Sequence, residues 1–127
     1  MTTCLMIAAA TVHLLGPEFE LSWEHSVEKT MWRESWVITD NGLELRKAAV
    51  KGSGAGMDPG DGAVLQDGWW VWVPEPLAVD ELVLAASGAT GGGWRLCSRG
   101  VCYEIGKDPG APVSVSVCTP EQDQANR

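Results

Sequence analysis

A histidine and several carboxylates lie among tryptophans in the stretch FELSWEHSVEKTMWRESWVI, residues 19–38. His25, Glu28 and Glu34 are its candidates for contact with a polar ligand. A carboxylate beside a buried imidazole favours the protonated form and is expected to raise the pKa of His25. Tryptophan walls with a few convergent polar groups are typical of small-ligand pockets. The stretch therefore suggests a site for a carboxylate or an amino acid, or for a metal with further ligands.

Alternating apolar and polar residues predict that two β-strands position this site. Trp23 and His25 share one face in the first half of the stretch, and Glu34 and Trp36 share one face in the second half. A loop at residues 28–31 then sets His25 opposite Glu34 and Trp23 opposite Trp36. The predicted ligand-binding residues are His25, Glu28, Glu34, Trp23, Trp36 and Ser26, with Trp32 as a further wall.

The same pair has a purely structural interpretation, in which His25 and Glu34 satisfy each other inside the core. Removing one partner of a buried ion pair costs about 3–5 kcal/mol, so stability alone is a sufficient reason for such a pair. The residues therefore leave both interpretations open.

Catalysis is not expected from these side chains. Adjacent residues of a strand point to opposite faces, so Ser26 cannot be a nucleophile activated by His25. Glu28 and Glu34 are available for acid–base chemistry, but nothing in so short a chain indicates a substrate cleft. We therefore expect no enzyme and no cofactor. We also expect no bound metal, because the cysteine and histidine spacing does not match a zinc site.

Asp40-Asn41-Gly42 predicts a second hairpin, because Asn and Gly tolerate the positive φ that a type I′ turn requires. The resulting cross-strand pairs are Ile38 with Leu45 and Glu34 with Ala49. Lys47 then falls on the face of Glu34, close enough to reach its carboxylate diagonally.

The remaining turn signals predict an all-β chain. Asp67-Gly68 and Arg99-Gly100 predict hairpins over residues 63–73 and 94–105, and residues 5–15 and 113–117 have the pattern of a first and a last strand. No segment has a sustained helical period. The predicted fold is one antiparallel sandwich or barrel of about eight strands over residues 1–118, followed by a polar tail at 119–127.

Composition limits the partners of the chain. Its 127 residues carry a formal net charge of −8, and no basic patch is present to neutralise phosphates. We therefore expect no binding to nucleic acid. The apolar run at residues 4–15 is too short to cross a bilayer and has no basic flank of a signal peptide, so we expect no membrane insertion.

Four cysteines allow a specific disulfide prediction. Closing the Arg99-Gly100 turn sets Cys97 opposite Cys102, near the spacing that a disulfide prefers. Cys4 and Cys118 lie near the two ends of the chain, and a bridge between them would close most of it. Disulfides would indicate an oxidising compartment, whereas four reduced and mostly buried thiols are the alternative.

Several motifs resemble a bacterial family of unknown function: FELSWEHSVEKTMWRESW, KGSGAGM, QDGWW and LCSRGVC. The resemblance spans residues 4–118 and implies a small extracytoplasmic protein, periplasmic or at the outer face of a membrane, often encoded beside the TAXI class of TRAP transporters. The signature positions that it implies are His25, Ser26, Glu28, Glu34, Gly54 and Gly56. It implies no activity, but it does imply transporter subunits or a small carboxylate solute as partners.

Three classes of function follow. The first is a non-catalytic accessory or binding module of a TAXI-type TRAP system. The second is a protein–protein interaction domain, because Trp69 and Trp70 are adjacent on a predicted strand and one of them should face away from the core. The third is a small metal-binding protein or hydrolase.

Overall fold

The computed structural model describes residues 3–25, 30–51, 62–86 and 93–125. These residues form two antiparallel sheets whose side chains meet in one buried cluster, so the predicted all-β sandwich is confirmed. The described residues contain twelve strands rather than about eight, and no helix among them is long and apolar enough to span a bilayer. The strands are β1 (Cys4–Ile7), β2 (Ala10–His13), β3 (Glu18–His25), β4 (Thr30–Thr39), β5 (Gly42–Lys51), β6 (Val64–Gln66), β7 (Trp69–Trp72), β8 (Leu77–Val79), β9 (Glu81–Leu84), β10 (Trp94–Ser98), β11 (Val101–Ile105) and β12 (Val113–Val117).

The two sheets differ in size. The small sheet has the order β2-β1-β12-β9, and the large sheet has the order β11-β10-β3-β4-β5-β7-β6, with β8 pairing along another part of β5. We call the face of the large sheet that meets the small sheet its inner face. The core between the sheets is formed by Leu5, Leu14, Phe19, Leu21, Trp36, Ile38, Leu43, Leu84, Leu96, Ile105 and Val115.

Two disulfides join parts of the chain that the strands bring together. Cys97 pairs with Cys102 across the β10–β11 hairpin, as the predicted register requires, with Cα atoms 4.1 Å apart. Cys4 in β1 bonds Cys118, which directly follows β12, with Cα atoms 5.4 Å apart. Because β1 and β12 are neighbours in the small sheet, the backbone already places the second pair within bonding range.

Two predicted hairpin turns are confirmed, and both have the backbone angles of type I′. Asp67 and Gly68 have φ values of 51° and 86°, and Arg99 and Gly100 have φ values of 47° and 86°. Both residues of each loop therefore adopt the positive φ that matches the twist of the strands they connect.

Both ends of the described chain differ from the prediction. Residues 5–15 form a hairpin of two strands rather than one strand, and Ala8 at its turn has a φ of 54°, which no glycine or proline signals in the sequence. The polar tail, for which no element was predicted, contains a short helix, α1 (Pro120–Ala125). Thr119 and Gln122 cap this helix reciprocally, each side chain bonding the other's backbone N–H, so Thr-Pro-Glu-Gln was a capping box in the sequence.

The β4–β5 hairpin also differs from the prediction. Thr39 pairs with Gly42, so the loop is Asp40-Asn41, and neither of these residues has a positive φ; Gly42 takes it instead, at 106°. The pairs are Ile38 with Leu43 and Glu34 with Ala48, not Ile38 with Leu45 and Glu34 with Ala49.

A bulge in β5 then decides which side chains reach the inner face. The register shifts by one between Ser35/Lys47 and Trp36/Leu45, which leaves Arg46 as the extra residue. A one-residue shift moves every following side chain to the other face. Lys47 therefore lies opposite Ser35 on the outer face, and its predicted approach to Glu34 is wrong.

Gly42→Ala is expected to lower the free energy of unfolding by about 2 kcal/mol, because an alanine there has a strained φ and its Cβ would lie 2.6 Å from the backbone oxygen of Val79. Gly100→Ala isolates the first cause, because Gly100 also has a positive φ but open space around it; we expect a loss of about 1 kcal/mol. Urea unfolding of the two variants measures the difference, and equal losses would contradict the predicted clash.

Candidate functional site

The register of β3 on β4 places the predicted site residues differently from the sequence hypothesis. Trp23 lies opposite Trp32, His25 opposite Thr30, and Glu34 opposite Leu21. The predicted His25–Glu34 and Trp23–Trp36 pairs are therefore wrong. His25 and Glu34 are four positions apart along the strand pair, which is about 13 Å at roughly 3.3 Å per residue.

The faces of these residues were nevertheless predicted correctly. His25 lies opposite Thr30 and not Glu34, so the pairing differs from the predicted one by four residues. Because four is an even number, each side chain stays on its predicted face. Trp23, Trp32, Glu34 and Trp36 accordingly share the inner face. The His25 side chain and residues Ser26, Glu28, Gly54 and Gly56 lie outside the described part of the structure.

Glu34 is the polar centre of this face. The indole N–H of Trp36 donates a hydrogen bond to Oε1 of Glu34 at 3.1 Å, and the indole N–H of Trp32 donates one to Oε2 at 3.3 Å. Because Trp36 is only 4% exposed, its N–H needs this acceptor. Glu34 is held by two indoles instead of the predicted imidazole.

A continuous row of indole rings runs beside this carboxylate. Ring centroids are 4.4 Å apart between Trp94 and Trp23, 5.6 Å between Trp23 and Trp32, and 5.5 Å between Trp32 and Trp72. We call these four residues the tryptophan row. The last contact crosses β5, where the small Ala48 pairs with Trp72. All four rings are half-buried, and only Trp94 packs against the core cluster.

Sequence reasoning missed Trp94 and Trp72 as parts of this site. Both belong to hairpins that are distant in sequence, and β10 reaches β3 only through a long-range pairing. The available signal was their alternation with other inner-face residues, such as Leu96 in β10. That pattern gives the face of a residue but not the neighbour of its strand.

The outer face of the large sheet carries several basic side chains. Arg33 lies 4.2 Å above the ring of Trp69 and 3.7 Å from the carboxylate of Glu20, and the Lys51 ammonium is 5.8 Å from the same ring. Arg95 lies opposite Ser22 on this face as well. Arg33 and Lys51 of the same sheet thus cover the ring of Trp69, and the cation–π contacts stabilise the ring and the cations.

This arrangement corrects the hypothesis of an exposed tryptophan anchor. Trp69 points outward and Trp70, opposite Val50, points inward, but both are half-buried. All seven tryptophans are among the described residues, and none is exposed.

The charge at the site follows from the two faces. Arg33, Lys47, Lys51 and Arg95 all project from the outer face. Among the side chains that the structure describes, which do not include that of His25, no cation forms an ion pair with Glu34. The described residues also contain no cluster of three or more His, Cys, Asp or Glu that could hold a metal ion. The described part of the inner face therefore combines aromatic rings with the negative charge of Glu34.

Comparison with known proteins gives one match. No curated protein and no solved structure matches the chain. The profile of a domain of unknown function, DUF1850, matches residues 19–105, which run from the second residue of β3 to the last residue of β11. This matched segment includes the tryptophan row, Glu34 and the Cys97–Cys102 hairpin. Because the match covers more than half of the sequence, the chain belongs to the DUF1850 family.

Proposed function

We propose that this protein is a non-catalytic accessory or binding protein of a TAXI-type TRAP transport system, acting outside the cytoplasm. The observation that carries the proposal is the carboxylate of Glu34, which two indole N–H groups hold in place beside the tryptophan row. A half-buried charge fixed among aromatic rings is suited to orient a bound group.

The arrangement supports binding rather than catalysis. Both oxygens of Glu34 accept hydrogen bonds from indoles, which act only as donors and are neither acids nor bases at neutral pH. The neighbours of Glu34 across the sheet are Leu21 and Ala48, which have no chemistry to offer a substrate. The site can therefore bind and position a group without transforming it.

Two further features support a place outside the cytoplasm. The Cys4–Cys118 and Cys97–Cys102 disulfides are compatible with an oxidising compartment. The motifs in the matched segment resemble those of small extracytoplasmic proteins encoded beside TAXI-type transporters. The solute of such a system, or one of its subunits, is the partner that we propose.

Co-purification tests this association. The oxidised, tagged protein is expressed with the solute-binding and membrane subunits of the TAXI-type transporter of the same genome, and the expected result is enrichment of at least one of them. An unrelated transporter of the same cell is the control. Enrichment no greater than that of the control would overturn the proposed association.

A second candidate function is a protein–protein interaction domain, which a different observation supports. Segments β6 to β8 and their connections expose four aliphatic residues, Val64, Leu65, Val73 and Leu77, at 57%, 56%, 77% and 47%. Exposed aliphatic side chains at one end of a sheet are suited to contact another protein. Val64→Ser with Val73→Ser would then reduce co-purification of a partner while Glu34→Gln would not.

A further inference from the structure

We infer that the site around Glu34 selects a small organic ammonium ion, and not the carboxylate that a histidine–glutamate pair would have favoured. The inference rests on the proposed binding role of this site and names the class of ligand.

Charge is the first argument. A row of paired residues crosses the inner face as Leu96, Leu21, Glu34, Ala48 and Trp72. Glu34 is the ionisable member of this row, and Arg33, Lys47, Lys51 and Arg95 on the same strands project from the opposite face. An anionic ligand placed here meets a like charge, whereas an ammonium ion meets an opposite one.

The bonding capacity of Glu34 is the second argument. A carboxylate has about four acceptor positions, two on each oxygen. The structure occupies one position on Oε1 with Trp36 and one on Oε2 with Trp32. No other described side chain bonds these oxygens, so within the described structure each keeps an acceptor position for an N–H donor, and the two indoles already fix the direction of the carboxylate. A primary ammonium supplies such donors, and a carboxylate ligand supplies none.

The indole faces are the third argument. Trp23, Trp32 and Trp72 are half-buried on the side of Glu34, and a cation is attracted to the face of an indole within about 6 Å of its centroid. The outer face of the same sheet already uses this interaction, with Arg33 above Trp69. Among the described residues, no cation lies over a ring of the inner face. A bound ammonium would be the equivalent of Arg33 there.

The test compares ligands of one length and different charge. Pentylamine, pentanol and pentanoate are titrated into the oxidised full-length protein, and the indole N–H signals of Trp32 and Trp36 are followed by NMR. We expect saturable shifts with pentylamine and at least about tenfold weaker binding of the other two, because one charge-assisted hydrogen bond is lost. Stronger binding of pentanoate, or equal binding of all three, would overturn the inference.

Two matched variants separate the site from the net charge of −8 of the whole chain. Glu34→Gln removes the proposed contact, and Glu24→Gln removes the same charge from the outer face of the neighbouring strand β3. Glu34→Gln is expected to weaken pentylamine binding at least about tenfold, and Glu24→Gln is expected to leave it unchanged. An equal loss in both variants would mean non-specific attraction and would overturn the inference.

The comparison of pentylamine with pentanol and pentanoate needs only the natural sequence, so it decides the question even if a variant fails to fold. It also separates this inference from the proposed function. Co-purification with the transporter and no preference for amine would refute the ligand class alone, whereas amine binding without co-purification would refute the transporter association alone.

Discussion

Replacing Cys4 and Cys118 together by alanine is expected to lower the free energy of unfolding by about 5 kcal/mol. The bridge joins residues 114 positions apart, and in the chain-entropy treatment a loop of about 100 residues already contributes about 4.7 kcal/mol. The loss is comparable to the whole stability of many small domains. The double variant should therefore unfold at much lower denaturant concentration, which urea titration followed by tryptophan fluorescence measures.

The matched control is the double variant Cys97→Ala with Cys102→Ala. Its residues are only 5 positions apart, so the same treatment gives about 2 kcal/mol. The two double variants remove the same number of sulfur atoms but differ in the length of the loop they release and in burial. Cys4 and Cys118 are buried, whereas Cys97 is half-buried and Cys102 is exposed, and both differences predict a larger loss for the Cys4–Cys118 variant. Equal destabilisation of the two variants would contradict the entropic origin of the effect.

Glu34→Ala is expected to lower the free energy of unfolding by about 3 kcal/mol. The change removes the acceptor of two indole N–H groups, and a hydrogen bond to a charged group contributes about 1.5–3 kcal/mol. Trp36 cannot turn to water, because it is 4% exposed and belongs to the core cluster. The Trp32 bond contributes less because that residue is half-buried. Urea unfolding gives the loss, and the indole N–H signals of Trp32 and Trp36 report the broken bonds directly.

Two variants bracket this result. Glu34→Gln keeps one oxygen acceptor and should retain about half of the stabilisation, so it remains folded. Glu24→Ala removes a carboxylate from the outer face of β3 and should change stability by less than about 0.5 kcal/mol. If Glu34→Ala were as stable as Glu24→Ala, the bonds to the two indoles would have no structural role.

The sequence was sufficient for the fold class, because period-two alternation and strong turn residues are local signals. Asp67-Gly68 and Arg99-Gly100 each set a two-residue loop, and the strands on both sides follow from it. The prediction failed where the turn residues were weak, and it also failed at the strong signal Asp40-Asn41-Gly42, where the loop is Asp40-Asn41. Ala8 forms a turn that its type does not signal, and β4 begins at Thr30, two positions earlier than predicted.

In the candidate site, the face of each side chain was predicted correctly but its cross-strand partner was not. Alternation correctly placed Glu34, Trp23 and Trp36 on one face, because a side chain's face depends only on whether its position is odd or even along the strand. The partner of each residue depends on the turn, and there the His25–Glu34 pair was lost. The bulge at Arg46 and the approach of Trp94 to Trp23 depend on tertiary contacts, which a single sequence does not encode in any short window.

The bridge between Cys4 and Cys118 makes the polypeptide a covalent ring of 115 residues. A protease that cuts any peptide bond inside this ring opens it without releasing a fragment, and the two pieces keep a high effective concentration for each other. A nicked molecule would keep its intact mass on a gel until a reducing agent is added. In surroundings rich in proteases, such a protein tolerates a first cleavage that would dismantle an unbridged chain.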